Sequence, residues 1–170
     1  MANRDTPMGF VPWGGLKEVR PHLSEAYSAT RIFTHDLLAA DADGYVDPAA
    51  AQSVYIIGSA LTPLTSSDSA VKEILVACDP LQYFIAQADE TDFDEQARIF
   101  STADHVNNTG NTYNYMSKQE IDSDTLAEGA VGGVLLHQLA PLPDNAWGAY
   151  CKMIVTICEH QFSEYGTQYV

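Results

Sequence analysis

The chain has 170 residues, enough for a single domain that buries a core without disulfide or metal staples, and its apolar content of 46% is ordinary for such a domain. Its net charge of −15 argues against a nucleic-acid partner, which would require clustered Lys and Arg, and fits a protein that faces water at high local density. No stretch approaches the about 20 apolar residues of a membrane span, and the first residues lack the apolar core of a secretory signal.

Residues 1 to 30 read as an extended arm, with Pro7, Pro12 and Pro21 breaking regular structure and Gly9, Gly14 and Gly15 loosening the backbone. The same stretch carries Met8, Phe10, Val11, Trp13 and Leu16, a side-chain set in which disordered tails are poor. It is therefore expected to lie on something: its own body, a sister subunit or another protein. Residues 1 to 31 hold four of the eight basic residues and three acids, so this leader carries +1 and the remainder −16.

From residue 31 the signals are β. Arg31 to Leu38 and Ser53 to Leu61 are strand candidates, and Asp43-Gly44 between apolar runs marks a hairpin turn. Glu73 to Cys78 and Gln82 to Ala88 are nearly continuous apolar runs, typical of strands covered on both faces. The tight Asp79-Pro80 connection predicts that these two pair as an antiparallel hairpin. Thr91 to Ser101 is the helix candidate: Thr91 or Asp92 as N-cap, acids in the first turn, and Phe93, Ala97 and Phe100 at helical spacing.

Asn107 to Asn114 and Ile121 to Gly129 read as connections, the second anchored by Leu126. Val131 to Leu139 is a strand whose Gly132-Gly133 marks a bulge or a close backbone approach. Ala149 to Glu159 alternates most clearly, with Cys151, Met153, Val155 and Ile157 on one face. Phe162 to Val170 is expected on the surface. The whole is a mainly all-β fold, a small antiparallel β-barrel or sandwich with one short helix, organised as an arm (1–30) and a body (31–170).

The residues offer little catalytic chemistry. Asp41, Asp43 and Asp47 around Gly44 invite a calcium loop, but aligned on Gly44 the terminal ligand positions are Ala39 and Ala50, so a hairpin turn is the better reading. The five histidines (His22, His35, His105, His137 and His160) show no metal spacing, and His35-Asp36 and Glu159-His160 are sequence neighbours that a strand would point apart. Cys78, Cys151 and Cys158 each sit in apolar runs and read as buried thiols. No nucleophile elbow, phosphate loop or dinucleotide fingerprint is present. Asn107-Asn108-Thr109 matches a glycosylation acceptor by chance. No catalytic residue, cofactor or metal is expected.

The opening Met1-Ala2-Asn3-Arg4-Asp5-Thr6-Pro7, with Gly9-Phe10 and Pro12 after it, resembles the start of the head decoration, or cement, proteins of tailed bacteriophages. Ile32-Phe33-Thr34 then Asp36, Asp144-Asn145 with Trp147-Gly148, and Glu159-His160-Gln161-Phe162 extend the resemblance, while Trp13 to Tyr27 departs from it. The resemblance implies a virion protein made in the host cytoplasm. It implies a β-rich, usually trimeric body on the capsid exterior, with an arm that grips the major capsid protein and no catalysis, nucleic acid or membrane.

Arg4, Phe10, Val11, Trp13 and Leu16 are then the expected capsid or subunit interface, and removing residues 1 to 20 is expected to leave a folded trimer that no longer binds capsids. The alternative is a β-barrel module for carbohydrate or a host surface, stacking ligands on Trp147, Tyr113 and Tyr115.

Overall fold

The computed structural model describes residues 3–24, 31–51, 55–64, 71–89, 93, 96–127 and 132–163. Its strands are β1 (Val11–Trp13), β2 (Val19–Ser24), β3 (Leu37–Ala40), β4 (Val46–Pro48), β5 (Ile56–Ala60), β6 (Lys72–Ala77), β7 (Tyr83–Gln87), β8 (Thr102–Ala103), β9 (His105–Val106), β10 (Glu120–Ile121), β11 (Val134–Leu139) and β12 (Lys152–Ile157). They form two five-stranded sheets, ordered β1-β7-β12-β11-β8 and β2-β6-β5-β3-β4, and a β9–β10 ribbon. All the strand pairs are antiparallel. The expected mainly β fold is what the chain adopts.

The two sheets share one core. Leu37, Ile56 and Ala77 from one meet Phe84, Leu136, Met153 and Val155 from the other. The alternation of the last strand sets its orientation: Cys151, Met153, Val155 and Ile157 all enter this core, while Ile154 joins Ile85, Ala140 and Leu142 on the outer face. A second apolar cluster, including Leu38, Val46, Ile74 and Val76, lies on the other face of the second sheet under Ile32 and Leu64. That sheet curls around it, because its edge strands β2 and β4 come within 8 Å between Cα atoms without forming a ladder.

Local chemistry explains several elements. In the β3–β4 hairpin Asp41 Oδ1 accepts the backbone N–H groups of Asp43 and Tyr45 at 3.0 and 2.8 Å, so this acid closes the turn. Gly58 has φ +143, and a Cβ there would stand 2.0 Å from the Ala77 carbonyl oxygen; only glycine permits the local register shift between β3 and β5. Gly132 is the expected close approach, against the backbone of Ala103, whereas the bulge in β11 falls at His137.

Three expectations are corrected. The Asp79-Pro80 connection does not close a hairpin. β6 pairs with β2 and β5, β7 pairs with β1 and β12, and the connection carries the chain from one sheet to the other. β6 is also covered only in part on one face, where Glu73 and Leu75 are exposed and Ala77 enters the main core. The helix over 91–101 reduces to a 3-10 turn, Gln96–Arg98; residues 91, 92, 94 and 95 lie outside the described residues. Phe93 enters the core, whereas Phe100 is 75% exposed with φ +69 and donates its N–H to the Leu136 carbonyl. Those two rings serve different surroundings, so their helical spacing marks no common face.

The third correction concerns the arm. Residues 3–24 are part of the body: β1 is an edge of the first sheet and β2 an edge of the second. Ser53 and Val54 of the second strand candidate, Val131, and the tail from residue 164 lie outside the described residues.

Candidate functional site

The leader is fastened along its length. Asn3 Nδ2 donates to the Ala146 and Ala149 carbonyls at 2.7 and 2.9 Å. Gln87 is fully buried; its Oε1 accepts the Thr6 N–H, and its Nε2 donates to Asp5 and to Glu120. Gly9, at φ +70, passes so close to His35 and Ser117 that a Cβ would stand 2.4 Å from the His35 carbonyl oxygen. That passage delivers Phe10 into the main core with no exposed area.

Beyond β1 the chain turns outward at Gly14 and Gly15, both at positive φ. The buried Gln82 side chain holds this turn: its Nε2 donates to the Trp13 and Gly15 carbonyls, both at 3.1 Å, and its Oε1 accepts the Lys17 N–H.

Two apolar surfaces result. On the outer face of the first sheet, Trp13 stands directly opposite Tyr83, with 38% and 40% of their surfaces exposed. The His137 ring meets Tyr83 edge-on at 5.1 Å, and Lys17 Nζ sits 5.6 Å from the centre of the Tyr83 ring, close enough for a cation–π contact. Leu16, next to this turn in sequence, is exposed, as is Leu81, whose carbonyl accepts from Lys17 Nζ. On the second sheet, Val19 and Leu23 of β2 and Leu75 of β6 are exposed on one face, and Arg20 pairs with Glu18 at 2.7 Å. Pro12 and Pro21 lie in the two edge strands, where a missing N–H discourages addition of a further strand.

Of the five expected interface residues, Arg4, Trp13 and Leu16 are exposed and Val11 is half-buried. Phe10 is withdrawn: its ring is committed to the core of its own chain. The exposed partner Tyr83 and the fastening role of Gln82 and Gln87 escaped the sequence reading, since polar residues ending an apolar run carry no mark of what they will hold. Trp147 packs against the main core, while Tyr113 is 94% exposed on a separate turn, and no ring contact among the described residues gathers the two with Tyr115.

The titratable groups are shaped mainly by burial. It pushes Asp36 up to about 6, against hydrogen bonds from Ser117 and the Phe33 N–H. Burial also lowers His22, His35, His105 and His137, and takes His160 down to about 4. His105 Nε2 lies 3.0 Å from the Ala49 carbonyl oxygen, and His137 Nε2 lies 2.8 Å from the Thr156 hydroxyl. Among the described residues no group of three or more His, Cys, Asp or Glu side chains converges as a metal site.

No family model, no curated protein and no solved structure matches this chain.

Proposed function

We propose that this chain is a head decoration protein of a tailed phage, attached to the outer surface of the major capsid protein lattice by the face that its leader displays. The observation that carries the reading is the Trp13–Tyr83 pair, exposed beside Lys17 on a protein whose residues beyond 31 carry −16. Large amphipathic rings next to a cation are the side chains that dominate binding at protein interfaces. The acidic remainder suits the solvent side of a crowded shell.

Burying a few such side chains supplies several kcal/mol at about 25 cal/mol per Å², before ordering costs. Assembly as a homotrimer, with repetition over the lattice, multiplies that modest affinity. The protein works by adhesion and turns over no substrate. Phe10 and the backbone of residues 3–17 contribute by holding the display rigid, so that little entropy is lost on docking.

The test is co-sedimentation with capsids of the encoding phage. The double variant Trp13→Ala/Leu16→Ser should keep the native melting temperature and lose capsid retention. Full retention by a folded double variant would remove this face from the reading.

A further inference from the structure

A second site lies away from the leader face. A cleft of about 360 Å³ opens between the segment around Phe33 and Asp36 and the loop at 107–112. That volume lies in the range of small-molecule sites, which begin near 300 Å³. We propose that this cleft binds a neutral, hydroxyl-rich ring of monosaccharide size, held by Asn107, Asn108, Thr109 and Thr112 beside Pro48.

The lining chemistry selects the ligand class. Pro48 supplies a small apolar surface for the C–H edge of a ring, backed by Phe33, which is itself only 4% exposed beneath Gly110. The two amides and two hydroxyls supply donors and acceptors in mixed order, which is what vicinal hydroxyls need. The inner polar atoms are already engaged: Asn107 Oδ1 accepts from Gln119 Nε2 at 3.2 Å, and Asn108 Nδ2 donates to Glu120 at 3.1 Å. These bonds orient both side chains, while the Thr109 and Thr112 hydroxyls have no hydrogen bond among the described residues. Arg31 and Asp36 both line the cleft, so neither sign of charge is favoured strongly, and the acidic protein as a whole repels anions.

The cleft is built in advance of any ligand. Gly110 lies so close to Phe33 that a Cβ would stand 2.3 Å from its ring, which presses the loop onto the wall. The turn beyond it is closed by Asn111 N–H to the Met116 carbonyl and Tyr115 N–H to the Asn111 carbonyl, both at 2.8 Å. Thr34 ties that turn to the wall, donating to the Tyr115 carbonyl and accepting from the Ser117 N–H, both at 2.9 Å. Asp36 Oδ2 accepts the Phe33 N–H at 2.7 Å and fixes the floor. A rigid, prepaid geometry of this kind favours binding of a small ligand.

This site does not depend on capsid attachment and is tested separately. Backbone amide shifts of the full chain would be followed by NMR during titration with glucose, galactose, mannose and N-acetylglucosamine, with glucuronate and glucosamine as charged arms. The expected result is a saturable shift confined to residues 107–112 and their neighbours for at least one neutral sugar. Thr112→Val, with an otherwise unchanged spectrum, should weaken that binding about tenfold. The proposal fails if no neutral sugar gives a saturable shift, if the shifts map elsewhere, if a charged arm binds in preference, or if Thr112→Val binds as the native protein does.

Discussion

The hydroxyl of Ser59 donates to the backbone carbonyl of Phe10 at 2.7 Å, a fully buried hydrogen bond between residues 49 positions apart. It joins the leader to β5 of the second sheet, while the neighbouring Val11 pairs with Ile85 in the first. The Phe10 ring between them fills the core that both sheets share. The leader is thus a seam of the fold, and this bears on every truncation.

Phe10→Ala should cost about 3–5 kcal/mol, the range for removing a fully buried ring from a packed core. Removing residues 1 to 20 deletes β1, Phe10 and the start of β2, and should abolish cooperative unfolding near room temperature. Urea denaturation followed by tryptophan fluorescence and circular dichroism checks both. A truncated protein with a native midpoint would show the leader to be a separable arm.

Gly110→Ala should destabilise by about 1–3 kcal/mol, as overpacking does, and should shift the resonances of the Phe33 ring and of the 107–112 loop. Gly58→Ala should cost more, because its Cβ would meet backbone, the Ala77 carbonyl at 2.0 Å, and its φ of +143 disfavours any side chain. Equal melting temperatures for native protein and Gly58→Ala would show that β5 has another route past β6.

Two buried groups pull the pH dependence in opposite directions. His160 is 4% exposed, its Nδ1 accepts the Phe162 N–H, and protonation there would break that bond. The unfolded imidazole gains a proton near pH 6.5 and the folded one only near 4, so the stability tied to His160 is present above 6.5 and is lost as pH falls toward 4. Asp36 runs the other way: the folded carboxyl keeps its proton to about pH 6 and the unfolded one loses it near 3.8, so its contribution is full below 3.8 and is lost as pH rises through 6.

Each term is worth about 3 kcal/mol at most. Relative to the native protein, Asp36→Asn should therefore gain stability as pH rises from 4 to 6.5, and His160→Gln should gain it as pH falls over the same range. Urea titrations at several pH values measure both slopes, and parallel curves for all three proteins would contradict the assignment.

The thiols should react little in the native state. Burial pushes Cys151 up to about 12 and Cys158 to about 11, and raises Cys78 as well, so little thiolate exists at pH 8. Ellman's reagent should titrate the buried Cys78 and Cys151 only after denaturation, and the partly exposed Cys158 slowly before it. Prompt reaction of one native thiol would mark a local opening of its strand.

The sequence by itself determined the class of structure and the faces of its clearest elements. Alternation from Cys151 to Ile157 placed four side chains in the core, because successive side chains of a strand point to opposite sides whatever the neighbour is. Asp43-Gly44 fixed the β3–β4 turn, because its chemistry is complete within five residues. Among the expected surface residues, Trp13 and Leu16 were legible from an apolar leader.

The tertiary structure alone decided which strand lies beside which. Leu75 and Phe84 sit in equally apolar runs nine residues apart, yet they belong to different sheets. Period-two patterning specifies a face but no partner. Phe10 and Trp13 look alike in the leader, and only the close passage of Gly9 past His35 sends one inward and leaves the other at the surface. The cleft beside Phe33 is likewise a product of long-range approach: its walls are about 75 residues apart in the chain, and no local rule brings them together.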